Sequence, residues 1–389
     1  MNFLGQCRDQ TPDLQASEPA PYPLSHVAGG RMKVTKRFVL ATVIMTWMWI
    51  LMSYLIGNNE SEEVIQTREL YNTLSKSLEF HGYYGNPILM KNSSYFQGRT
   101  TKITPLDFKF LIKSNVCAKD KNPLLLIFIL SLPEHFLQRE AIRQTYGRVV
   151  RREPWPGQTI FGSVQIVFLF GKSNTTAKQM LLQKEADAKG DIVQADFVES
   201  YYNLTYKVLM GFKWAKYDCP NAVNIMKIDE DTFLDIPRIT NIMVSADLDN
   251  TIYGHFHYSD PVERKPIKSK VSMKAYPLKY YPPHVKGNLY FMRKDLAMKI
   301  LHLSEYFPYV NIEDAHITGT LPKLLESRHI NIPKSQYNPN GGPEICDFAL
   351  KRKIAAQQVN HTFAFQIWNR IENVELCEKE KTKEDLSSS

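Results

Sequence analysis

Residues 124–130 read LLLIFIL, an unbroken apolar run that opens after Pro123 and closes at Ser131. A strand with one wet face would alternate apolar and polar side chains, so this run predicts a strand covered on both faces. Working outward, residues 134–146 have the pattern of a helix, and Gln165 to Phe170 (QIVFLF) reads as a second strand closed by Gly171. Thr176 to Lys189 is a helix candidate with Gly190 as its stop, and Asp191 to Phe197 is a third strand. A helix from about residue 203 to residue 217 carries Leu204, Val208, Phe212 and Ala215 on one face, and AVNIMKI at 222–228 is the fourth strand. Buried strands alternating with helices predict an α/β fold, Rossmann-like, with an open and mostly parallel central sheet. In such sheets ligands gather beyond the carboxyl ends of the strands.

Asp229-Glu230-Asp231 stands at such an end, directly after AVNIMKI. A D-x-D triplet is expected about once by chance in a chain of this length. Asp247-Leu248-Asp249 serves as the internal control, since it lies in a polar stretch where a solvated turn is the natural reading. The first triplet follows a buried strand, where clustered carboxylates repel one another and lose hydration unless a cation joins them. Oxygen ligands without a nearby Cys or His suit Mg²⁺ or Mn²⁺ bridged to nucleotide phosphates. A second acidic group, Glu313-Asp314, opens a predicted helix. In isolation it reads as a helix cap; beside a metal–nucleotide site it becomes a source of a general base.

Phe38 to Ile56 has nineteen residues without a charge. As a helix it would span about 28 Å, close to the apolar thickness of a bilayer. Arg31, Lys33, Lys36 and Arg37 precede it, while Glu60, Glu62 and Glu63 follow, which predicts a cytosolic amino terminus and a lumenal remainder. The triplets at Asn59, Asn92, Asn174, Asn203 and Asn360 fit N-glycosylation sites, and all lie after this segment. Cys117, Cys219, Cys346 and Cys377 permit two lumenal disulfides in any of three pairings, and buried thiols remain the alternative. The expected organisation is a tail (1–37), a membrane anchor (38–56), a polar stem (57–118), a catalytic domain (119–376) and a polar tail (377–389). The net charge of +8 comes without a basic run interleaved with aromatics, a zinc-ligand spacing or a helix-turn-helix, so nucleic acid is not an expected partner.

Six motifs, in order, resemble those of the β1,3-galactosyltransferase family. Arg139-Glu-Ala-Ile-Arg143-Gln-Thr-Tyr-Gly147 is similar to R-x-x-I-R-x-T-W-G, and Phe168-Leu-Phe-Gly171 to F-L-x-G. The segment from Asp196 to Lys207 resembles D-F-x-D-S-Y-x-N-L-T-x-K, and Lys227 to Phe233 resembles K-x-D-x-D-x-F. Tyr281-Pro with Gly287, then Glu313-Asp314 with Gly319, resemble the last two motifs. Tyr146 stands where the family motif has Trp, Ala315 stands where it has Val, and the stretch after Tyr281 lacks the usual cysteine and glycine run.

The resemblance implies a GT-A fold, a UDP-sugar donor such as UDP-galactose, Mn²⁺, a glycan acceptor on glycoprotein or glycolipid, and inversion to a β1,3 linkage. It further implies a Golgi membrane enzyme held in the lipid bilayer by one helix. Carried over by position, Asp229, Glu230 and Asp231 would face metal and UDP, with Asp231 as the direct ligand beside Asp229. Asp314 would be the base, with Glu313 as its fallback. His361 would complete the metal site, and Arg143 and Lys207 would serve the nucleotide. Transfer of GlcNAc or GalNAc, a non-catalytic glycan-binding protein on the same fold, and a metal-dependent hydrolase remain open alternatives.

Overall fold

The computed structural model describes residues 94–379, apart from 98, 120, 121 and 259. The expected tail, the membrane anchor, most of the stem, Asn59 and Asn92 lie outside the described residues. Among the described residues no helix is long and apolar enough to cross a membrane.

The first apolar run becomes β2 (Leu125–Leu130), and every one of its residues is buried. Its side chains divide by parity, as a strand's must. Leu125, Ile127 and Ile129 join one apolar cluster, while Leu126, Phe128 and Leu130 join another on the opposite face. Burying each such side chain contributes roughly 1.5–3 kcal/mol.

The sheet has eight strands in the order β1-β4-β3-β2-β5-β8-β7-β9. They are β1 (Phe110–Ile112), β3 (Val164–Lys172), β4 (Ile192–Val198), β5 (Asn224–Asp229), β7 (Thr251–His257), β8 (His284–Arg293) and β9 (Arg328–Asn331), with β2 near the centre. A small separate ladder pairs β6 (Phe233–Leu234) with β10 (Ala355–Ala356). The β4, β3, β2 and β5 pairings are parallel, as is β7 with β9. The β1–β4, β5–β8 and β8–β7 pairings are antiparallel.

Helices α1 (Phe136–Gln144), α2 (Thr176–Lys189), α4 (Ile236–Ser245) and α6 (His361–Glu372) place buried residues in the first cluster. Helices α3 (Leu204–Asp218) and α5 (Lys294–Ser304) cover the other face. Local signals set their ends. Thr175 caps α2 by accepting from Lys178 N at 3.4 Å, and Gly190 stops it with a left-handed φ of 74°. Asp235 and Asn360 cap α4 and α6 in the same way.

One boundary differs from the sequence reading. Residues 94–112, expected in the stem, belong to the folded body. Tyr95, Phe96 and Leu106 are buried in the second cluster, and β1 pairs with β4. Two disulfides, Cys117–Cys219 and Cys346–Cys377, select one of the three pairings.

Candidate active site

Register brings the acidic triplet to the expected edge. Asp229 is paired level with Leu130, so the carboxyl ends of β2 and β5 finish together and Ser131 stands beside Glu230. Strand β8 runs the other way. Leu289 pairs with Ile228, so residues 284–287 project past the end of β5. A π-helical turn, Ala315–Thr320, is fastened to this projection: Thr318 Oγ1 accepts from Val285 N at 3.1 Å. That fastening carries Glu313 and Asp314 to Gly287.

Lys227, buried inside β5, links the two acidic groups. Its ammonium donates to Asp229 at 2.7 Å and to the Gly287 carbonyl, and it lies 3.6 Å from Glu313. Burial works to lower its pKa, but Asp229, Glu313 and Asp314 outweigh that and hold it above the ordinary lysine value. Glu313 is itself buried and accepts from the Tyr290 hydroxyl at 2.5 Å. Burial pushes it up; Lys227 opposes and Asp314 adds, leaving it at about 7.

Asp314 is less buried and more open. One carboxylate oxygen accepts from Gly287 N at 3.0 Å and the other from Ala315 N at 2.8 Å. Gly287 matters sterically, because a Cβ there would sit 3.2 Å from Asp314 Cβ and 3.3 Å from the nearest oxygens of Asp314 and Glu313. Asp231 is the other open carboxylate. Burial and then Asp229 raise it above the ordinary aspartate range, against backbone hydrogen bonds from its own N–H and that of Gln358. Among the described residues it has no ion-pair partner. A part-buried carboxylate left without a cation beside a second carboxylate is the condition that a divalent ion relieves.

The other predicted site residues are placed elsewhere. Glu230 turns toward α1, accepting from Ser131 Oγ at 2.5 Å and pairing with His135. Arg143 is held by Asp191 at 2.7 Å and Glu185 at 2.7 Å, at the amino end of β4 and away from the triplet. Its position near the end of α1, which runs back along the sheet, explains this. Lys207 is buried at the carboxyl edge, but its ammonium is committed to Glu199 at 2.6 Å and Ser131 O at 3.1 Å. His361 begins α6 and is exposed, lining a shallow cavity with Ile345, Phe365 and Arg370. The backbone before it meets the triplet instead, Val359 N donating to Asp231 O at 2.9 Å. Among the described residues no group of three or more His, Cys, Asp or Glu side chains is arranged to hold a metal by itself.

Asn174 and Asn360 are exposed at helix entries. Asn203 is half-buried and donates to Val198 O at 2.8 Å, and the hydroxyl of its Thr205 donates to Val310 O at 2.7 Å. The control triplet is a turn as expected, with Asp249 N donating to Asp247.

Three positioning residues were not anticipated in these roles: Lys227, Tyr290 and Gln138. The Gln138 amide donates to Glu230 O at 2.8 Å and Val359 O at 2.9 Å, tying both flanks of Asp231 to α1. A lysine inside an otherwise apolar strand was the available signal for Lys227, since a buried ammonium demands carboxylate partners.

The body is an α/β domain whose eight-stranded sheet gathers carboxylates beyond its central strands. Comparison with known proteins gives it a family. The profile described as Galactosyltransferase matches residues 137–333, just over half of the chain. Beta-1,3-galactosyltransferase 5 of Pan paniscus is 28% identical over 274 residues, covering 69% of this chain and 87% of that protein. UDP-GalNAc:beta-1,3-N-acetylgalactosaminyltransferase 1 of Homo sapiens is 29% identical over 229 residues, covering 58% and 67%. Among solved structures, the WbbM bifunctional glycosyltransferase aligns at 11% identity and a TM-score of 0.34 over 65% of this chain and 50% of that one. The chain belongs to the galactosyltransferase family and is a hexosyltransferase.

Proposed function

We propose that this enzyme transfers galactose from UDP-galactose to a glycan hydroxyl in a β1,3 linkage, by single displacement with inversion. The observation that carries the reading is the pair of open carboxylates beyond β5: among the described residues Asp231 and Asp314 form no ion pair, Asp231 lying in the triplet and Asp314 held by Gly287 N. Asp231, with Asp229 beside it, would hold a divalent ion of the Mn²⁺ type; the donor set is all oxygen and suits a hard cation. That ion, when bound, supplies positive charge to the leaving diphosphate. Asp314, fixed through one backbone N–H on each oxygen, takes the proton from the acceptor hydroxyl. Lys227 and Tyr290 hold Glu313 in the buried layer behind it, so Asp314 rather than Glu313 is the base.

The human relative named for GalNAc transfer makes UDP-GalNAc the second donor to test, with UDP-GlcNAc as the third. The anchor, the sequons and the disulfides support a type II protein of the Golgi membrane acting on lumenal glycoprotein or glycolipid.

The test is the full-length protein in detergent with a panel of UDP-sugars and simple glycoside acceptors. Transfer with a β1,3 product is expected, and Asp314→Asn should lose about 10²-fold or more in kcat while staying folded. Donor hydrolysis without transfer, or near-normal turnover by the variant, would overturn the proposal.

A further inference from the structure

The segment between β7 and β8 is basic: residues 258–283 contain six Lys or Arg and two acidic residues, Asp260 and Glu263. It is also built, rather than loose. Val262, Val271, Tyr276 and Tyr281 are buried, and Val262 N donates to Lys279 O at 2.9 Å. Arg264 is used internally, donating to the carbonyls of Val271, Tyr276 and Leu278 at 2.7–2.9 Å. Lys265, Lys268, Lys270, Lys274 and Lys279 are left exposed, and among the described residues none of them forms an ion pair. Five like charges held together on an ordered segment repel one another unless an anion visits.

Two contacts place this segment at the catalytic edge. The Lys270 carbonyl accepts from Asn311 Nδ2 at 3.3 Å, just before Glu313 and Asp314 in the chain. The Lys268 ammonium lies 3.7 Å from the centre of the Tyr201 ring, which is 40% exposed. Tyr201 follows the carboxyl end of β4, and the carbonyl of its neighbour Tyr202 accepts from the Tyr309 hydroxyl, two residues before Asn311. The ring therefore sits at the carboxyl edge of the sheet beside the segment that carries Asp314, where the acceptor must bring its hydroxyl.

We propose that Tyr201 and Lys268 form an acceptor subsite selective for a sugar that carries an anionic substituent, a carboxylate or a sulfate ester. This rests on the transferase reading above. The aromatic face would take the apolar face of the sugar ring, and the ammonium would exchange an exposed cation–π contact for a direct, charge-assisted bond to the substituent. The donor's diphosphate belongs beside Asp231, so it does not compete for Lys268.

The experiment measures kcat/KM of the full-length protein for three acceptors: a neutral hexoside, its 6-sulfate, and the corresponding uronide. At least one anionic acceptor should be preferred about tenfold. Comparing the sulfate with the uronide tells which anion is read. Lys268→Glu should bring the ratio of anionic to neutral close to one. Lys184→Glu, an exposed lysine on α2, should leave that ratio in place. Equal kcat/KM for all three acceptors overturns the subsite and leaves the transferase reading intact. So does a Lys268→Glu variant that changes binding to anionic lipid vesicles but not the ratio, or a Lys184→Glu variant that moves the ratio as far as Lys268→Glu. No transfer to any acceptor overturns both proposals.

Discussion

Lys227 serves two carboxylates from different elements, lying 2.7 Å from Asp229 and 3.6 Å from Glu313. Burial raises Glu313 to about 7 from the ordinary 4.5, and the shared Lys227 offsets only part of that rise. Between those two values the native protein binds more protons at this site than the unfolded chain does. Stability from this group therefore falls as pH rises through the window. Glu313→Gln removes the titration. Thermal denaturation should show the wild type losing ground to the variant from about pH 5 to about pH 8, and parallel curves would contradict the assignment. At this scale the sequence singled out Asp229, Asp231, Glu313 and Asp314, because acids clustered at element ends stand out, and the fold gathers Asp229, Glu313 and Asp314 around Lys227 and Gly287. Arg143 and His361, which the motifs also offered, lie elsewhere, Arg143 paired with Asp191 and Glu185 and His361 at the exposed start of α6. A motif locates a residue along an element, but the direction of its side chain depends on partners such as Asp191, which lie far away in sequence.

At the scale of elements, β3 and β4 come so close that Gly171 has no room for a side chain. A Cβ there would lie 2.6 Å from the Phe197 ring, 2.8 Å from Phe197 O and 2.9 Å from Glu199 N. Two of those atoms are backbone, so Gly171→Ala must push β4 outward. A loss of about 1–3 kcal/mol is expected in urea denaturation, and an undiminished midpoint would contradict the packing. Glu199 also accepts from Gly171 N at 2.8 Å and pairs with Lys207, so the same shift would disturb the lysine under Ser131. The parallel half of the sheet was legible because β2, β3 and β5 are apolar along most of their length. The β7–β8–β9 half was not. HVKGNLYFMR in β8 mixes Lys, Gly and Asn with apolar residues, and TIYGHFH in β7 shows no unbroken apolar run although its first five residues are buried. Their antiparallel pairing is long-range, and yet β8 is the strand that presents Gly287 to Asp314.

For the whole molecule, the Cys117–Cys219 bridge ties the segment before β2 to the end of α3 across 102 residues. Replacing both cysteines by serine should cost about 2–5 kcal/mol, read as a lowered melting temperature, whereas an unchanged melting temperature would contradict a structural role. Cysteine number suggested two bridges, but only the folded arrangement selects the pairing. Likewise the polar segment expected as stem conceals Tyr95, Phe96 and Leu106, isolated apolar residues whose burial no local pattern announces. The central claim concerns the charge gathered beyond β5, and calorimetry of UDP binding to the full-length protein tests it most directly. UDP should bind in the presence of Mn²⁺, lose affinity when EDTA is added, and fail to bind Asp231→Ala. UDP binding that is indifferent to both the metal and Asp231 would contradict the account.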